Sequence, residues 1–274
     1  MNRDEISEHW SADLPAQIEG PDGPLEYACF GPGSHLAPTI LMLHEGLGSA
    51  ALWRDFPEAL SRKSGCGVVA YSRYNYGRSA LTAFPRRFDY LEHEALVVLP
   101  AVIDALGLKQ CILFGHSDGG TIAALQIAET QDVKIRGAVI IAPHFFVEDI
   151  AVEMIRRARK EFAGSDLQRQ LARHHNDENR AFYGWADTWM SEKFRDWDMT
   201  RSLQNISVPV LAVQGRSDQY ATLSQIDVLV RNVKGPATKL ILEDCKHAPH
   251  AEQPEKLIEA VVGFIAGLNL ACPT

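Results

Sequence analysis

Residues 111–128 read CILFGHSDGGTIAALQIA, and this stretch decides the fold. The apolar, β-prone run at Cys111–Phe114 leads into Gly115-His116-Ser117-Asp118-Gly119, and an apolar helix-forming run leads out. A G-x-S-x-G pattern alone is cheap; the strand before it and the helix after it make it informative. So sharp a turn forces the serine into a strained backbone conformation. Small residues at Gly115 and Gly119 let strand and helix approach without clashing. Ser117 Oγ should then project at the carboxyl edge of a sheet, as a nucleophile. The backbone N–H of Asp118, at the helix N-terminus, should face a developing oxyanion.

Working outward, other apolar runs flank this one: Thr39–His44, Gly67–Ser72, Ala138–Ala142, Val208–Gln214 and Lys239–Leu242. They are apolar at successive positions, as expected of parallel strands covered on both faces. Amphipathic stretches separate them at Trp53–Lys63, Leu91–Leu106, Thr121–Thr130, Leu223–Val233 and Pro254–Leu268. This alternation predicts right-handed βαβ units in an α/β, doubly wound, mostly parallel sheet with helices on both faces. Gln17–Phe30, with the turn signal at residues 21–24, reads as an antiparallel hairpin at one edge. From His144 to Asn205 no strand-like run occurs. The segment is too long for a connection and reads as an inserted helical cap. The expected organisation is therefore a core at 1–143 and 206–274 with a cap at 144–205.

A serine hydroxyl needs a base, and the base an orienting acid; in folds built on such an elbow they follow in the order Ser, acid, His. The acid is expected at Asp218, after the strand run and Gly215; the base is expected at His247, after the last strand run. Asp227 and His250 are the local alternatives, read as a helix-face carboxylate and a surface-loop histidine. A second oxyanion donor is expected from the loop His44-Glu45-Gly46-Leu47-Gly48-Ser49. His44 reads as a structural histidine. A carboxylate beside an oxyanion hole opposes the developing charge, so the Glu45 side chain is expected to turn to solvent or to an arginine. The sharper reading is that Glu45 contacts a polar or cationic substrate group. In the cap, Phe182, Tyr183, Trp185, Trp189, Phe194 and Trp197 read mainly as packing, with Trp185 and Trp189 as candidate substrate contacts. His174 and His175 diverge on a helix and read as surface, not as metal ligands.

The chain has 274 residues, 46% of them hydrophobic, and a net charge of −8. That suffices for a large core and argues against nucleic acid or an anionic membrane surface, which require clustered Lys and Arg. No apolar run approaches a membrane span, and Met1–Ala16 carries no apolar leader core, so a cytoplasmic protein is expected. The five scattered cysteines suggest neither a disulfide framework nor a zinc site, and Cys111 reads as a small buried hydrophobe.

Over nearly its whole length, from HEGLGS (44–49) through GHSDGG (115–120) and GRSD (215–218) to KHAPHAEQPE (246–255), the chain resembles the α/β-hydrolase superfamily. The last segment is similar to the family's G-H-x-P-x-x-E-x-P pattern, with Glu252 and Pro254 matching and Lys246 in place of the glycine. Residues 71–79 resemble its D-x-x-G-x-G-x-S stretch but depart at Tyr71 and Ser72, where an acidic residue is common, and carry Tyr74 and Tyr76. The family's usual His-Gly is His44-Glu45 here. The resemblance implies an α/β-hydrolase fold and a second oxyanion donor at Gly46. The expected activity is hydrolysis of a small-molecule carboxylic ester through an acyl-enzyme, with no metal or organic cofactor. C–C, lactone or thioester hydrolysis, and cofactor-free perhydrolysis, use the same residues. Related dehalogenases and epoxide hydrolases need a carboxylate where Ser117 stands, and a ligand-binding receptor keeping the fold is the reading from another class. Substrate identity and oligomeric state are not written in the sequence.

Overall fold

A computed structural model describes residues 16–268 and 270; the N-terminal segment through Pro15 and Cys272 lie outside the described residues. The strands are β1 (Ala16–Gly20), β2 (Gly23–Phe30), β3 (Thr39–Leu43), β4 (Gly67–Tyr71), β5 (Cys111–His116), β6 (Ile135–Ile141), β7 (Val210–Gly215) and β8 (Ala237–Leu242). Among the described residues they form one sheet in the order β1-β2-β4-β3-β5-β6-β7-β8. β1 and β2 form the antiparallel edge hairpin, β2 pairs antiparallel with β4, and every other pairing is parallel.

The helices are α1 (Phe56–Ser64), α2 (Tyr90–His93), α3 (Leu99–Ala105), α4 (Asp118–Glu129), α5 (Asp149–Glu161), α6 (Asp166–His174), α7 (Glu178–Trp189), α8 (Ser224–Asn232), α9 (Pro249–Glu252) and α10 (Pro254–Gly267). A π-helical turn at Glu94–Val98 joins α2 to α3. Alternation along each strand sorts side chains onto the two faces. Leu41, Leu43, Val69, Leu113 and Ile140 pack with residues of α3, α4 and α8, whereas Ile40, Met42, Val68, Phe114 and Val139 pack with residues of α1 and α10. The continuous apolar runs thus arise because both faces are covered.

Between β6 and β7 lie α5, α6, α7 and two short 3₁₀ turns. Phe162 and Phe182 stack at 3.6 Å, and Phe194 stacks on Trp197 at 5.5 Å, so much of the aromatic content of 144–205 packs within that segment. Cys29, Cys66, Cys111 and Cys245 are free and buried. Among the described residues no helix is long and apolar enough to cross a membrane.

Candidate active site

The loops at the carboxyl ends of β3, β5, β7 and β8 converge on one cleft of about 330 Å³, whose lining includes Gly46, Ser117, Asp118, Trp185, Trp189 and His247. Ser117 stands between β5 and α4 at φ 54° and ψ −118°, backbone strain that a non-glycine residue rarely holds. Its N–H donates to the Ile141 carbonyl (2.8 Å) and its carbonyl accepts from Thr121 N–H (3.0 Å), which fixes the turn from both sides. The turn closes because Gly115 has no side chain: a Cβ there would stand 2.2 Å from the Gly119 carbonyl oxygen. Asp118 opens α4, so its N–H has no intrahelical acceptor.

The loops after β7 and β8 bring Asp218 to His247. His247 Nδ1–H faces both Asp218 carboxylate oxygens at 2.9 Å. Tyr220 N–H and Ala221 N–H donate to Oδ1, and Gln214 Nε2 donates to Oδ2. Burial opposes the charge of Asp218, but these donors, His247 foremost, outweigh it and hold the carboxyl below its usual range. The two loops meet because Gly215 presents bare backbone; a Cβ there would lie 2.1 Å from the Lys246 carbonyl oxygen. Asp227, the alternative acid, lies on α8 and pairs with Lys239.

The loop after β3 is anchored through its backbone. His44 is buried; its Nε2 accepts from Arg73 N–H and its Nδ1–H donates to the Glu45 carbonyl. That carbonyl also accepts from Arg73 Nη2 (2.8 Å). His44 is therefore structural, as expected. Glu45 is a correction: the arginine takes its carbonyl, not its carboxylate. The side chain instead lies over Gly48 with Oε2 3.6 Å from His116 Nδ1, on the lining of the cleft and 30% exposed. Two further readings are overturned. His250 is not a surface histidine: its ring packs at 4.7 Å against Trp53 and 4.9 Å against His116, and burial pushes its pKa down to about 3. His175 is buried too, accepting from Gly77 N–H at Nδ1 and donating from Nε2 to the Leu47 carbonyl. In both cases residues of distant segments cover the ring, which the local sequence does not reveal.

Several cleft residues escaped the sequence reading. His116 occupies the unspecified position before Ser117 and donates from Nε2 to the His247 carbonyl (2.7 Å). His144 packs against Trp189 at 5.0 Å, and Tyr220 lies 4.9 Å from the His247 ring. Beneath the elbow, the Asp118 side chain accepts from Tyr90 hydroxyl (2.8 Å) and lies 3.7 Å from Arg73 Nη1, and Trp189 Nε1 donates to the same tyrosine oxygen (3.1 Å). The acidic group missing at Ser72 comes from β2: Glu26 Oε2 accepts from Ser72 Oγ and Arg78 N–H. Only the signal of adjacency to Ser117 could have drawn attention to His116; the others converge from distant segments.

Residues 40–260 match the model of the Alpha/beta hydrolase family. The chain is 26% identical over 255 residues to a pimeloyl-[acyl-carrier protein] methyl ester esterase of Aeromonas salmonicida, covering 83% of this chain and 95% of that enzyme. It is 27% identical over 219 residues to a bifunctional esterase/perhydrolase of Acinetobacter calcoaceticus, covering 68% and 76% of the two chains. The crystal structure of the enol-lactonase from Burkholderia xenovorans LB400 superposes with a TM-score of 0.73 at 19% identity, covering 92% of this chain and all of that one, a likeness of fold. With its eight-stranded sheet, its elbow and this match, the chain belongs to the alpha/beta hydrolase family.

Proposed function

We propose that the protein hydrolyses small-molecule carboxylic esters through an acyl-enzyme on Ser117. The observation that carries this reading is the pairing of His247 with Asp218 in the cleft that Ser117 also lines. His247 removes the Ser117 proton as Oγ attacks the ester carbonyl, and Asp218 balances the imidazolium. The N–H groups of Asp118 and Gly46 bind the oxyanion. His247 then protonates the departing alcohol, and water attacks the acyl-enzyme to release the acid and restore Ser117. The ester-cleaving relatives support the choice of bond.

We further infer that residues 144–205 act as a cap over the core formed by 1–143 and 206–274, with Trp185 and Trp189 as apolar substrate contacts on the cleft lining. The decisive experiment pairs turnover of p-nitrophenyl butyrate with covalent labelling by a fluorophosphonate. Wild type should do both and Ser117→Ala neither. Labelling without turnover across a panel of esters would favour a receptor, and undiminished turnover by Ser117→Ala would overturn the proposal.

A further inference from the structure

His116 carries a hydrogen-bonding conflict that the acyl-transfer chemistry does not use. Its Nε2 lies 2.7 Å from the His247 carbonyl oxygen. A carbonyl only accepts, so that nitrogen carries the proton. In the neutral imidazole Nδ1 then offers a lone pair; it is closed to solvent and has no hydrogen-bond partner. The group it meets is Glu45 Oε2 at 3.6 Å, also an acceptor. That separation exceeds a charge-assisted N–H···O contact, for which about 2.7–2.9 Å is usual. Two acceptors so placed require a shared donor. The His250 ring lies 4.9 Å from His116, and its Nδ1 is likewise closed to solvent and unpartnered.

The other charged groups on the lining are otherwise engaged or exposed. The Asp118 carboxylate accepts from Tyr90, Glu252 accepts from the N–H groups of Lys246 and Ala248, and the Lys246 side chain is exposed. Glu45 is thus the carboxylate open to a ligand.

We propose that Glu45 and His116 form a receptor for a primary ammonium group on the substrate, a reading that rests on the ester-hydrolase proposal. A hydroxyl brings one hydrogen to two acceptors. An ammonium brings three, with the charge that complements the carboxylate. Glu45 adjoins the oxyanion donor Gly46, and His116 adjoins Ser117, so a bound amine would orient the ester against both.

The test is equilibrium binding by calorimetry, which needs no turnover. Hexylammonium, hexanol and hexanoate are titrated into wild type, Glu45→Gln and Glu45→Asp, with circular dichroism to verify folding. Wild type should bind hexylammonium at least about tenfold more tightly than hexanol and bind hexanoate least. Glu45→Gln should erase the difference, and Glu45→Asp should retain part of it. Equal affinity for ammonium and alcohol in wild type, or a preference that survives Glu45→Gln, overturns the receptor. Failure of ester turnover while the Glu45-dependent preference persists would overturn the ester reading alone.

Discussion

His247 Nδ1 stands 2.9 Å from both carboxylate oxygens of Asp218, although 29 residues separate the two in the chain. A carboxylate in this position selects the tautomer with the proton on Nδ1, leaving Nε2 as the basic nitrogen. Asp218→Asn would present an amide N–H to Nδ1 and invert that preference. The expected loss in kcat for p-nitrophenyl butyrate is about 10³–10⁴-fold. The fold should survive, because the remaining amide oxygen still accepts from Tyr220 N–H. A loss of only a few-fold in a folded variant would remove Asp218 from the mechanism.

Trp185 lies against Gly46 so closely that a Cβ on residue 46 would stand 2.3 Å from the indole Nε1. Gly46→Ala should therefore displace either the loop or the indole, and lower kcat/KM by about 10–100-fold. Trp185→Ala opens that space, so the double variant should lose less than the product of the two single losses. Multiplicative losses in this cycle would show that the contact does not govern the loop.

Glu26 holds the loop after β4 through Ser72 Oγ and Arg78 N–H, and Ser72 Oγ in turn accepts from Ala50 N–H. Glu26→Ala leaves the buried Ser72 hydroxyl and the part-buried Arg78 N–H without their acceptor, at a cost of roughly 1–3 kcal/mol. Glu26→Gln retains an acceptor oxygen and should cost less. Urea unfolding midpoints of the two variants test the order.

His175 should make the protein acid-sensitive. Burial pushes its pKa down to about 4, and protonating Nδ1 would set an N–H against the Gly77 N–H it now accepts. In the unfolded chain the value is about 6.5. Above that both states are neutral and the shift has no effect. From about 6.5 down to 4 the unfolded chain takes up a proton that the folded chain does not, so stability falls as pH falls. The loss for His175 is on the order of 3 kcal/mol at pH 4. His144, also pushed down to about 4 by burial, adds to it. His175→Gln keeps an acceptor and a donor without a titrating group. Its urea midpoint should shift less between neutral and acid pH than that of wild type, and an equal shift would rule His175 out as a source of acid sensitivity.

The elbow was legible because every step in it is local. The strand, the strained serine and the helix occupy consecutive residues, and close packing there dictates glycine at Gly115. Asp218 and His247 were legible from chain order, since each follows the strand that carries it to the same sheet edge. The edge hairpin and the strand-free stretch between β6 and β7 were likewise visible as turn chemistry and as a break in alternation.

The arginine contact expected of the Glu45 side chain and the surface readings of His175 and His250 failed for one reason: their surroundings come from other segments. Helix spacing could not show that Gly77 and Leu47 would enclose His175, or that Trp53 would cover His250. Nor could the loop sequence show that Arg73 would take the Glu45 carbonyl and leave its carboxylate beside His116. The sequence by itself determined the order of strands and helices, the strained turn at Ser117 and the placement of Asp218 and His247 after their strands, because these follow from periodicity and steric fit along the chain. Only the tertiary structure decided the polar contacts around the cleft, because burial and hydrogen-bond partners depend on which distant segments the sheet brings together.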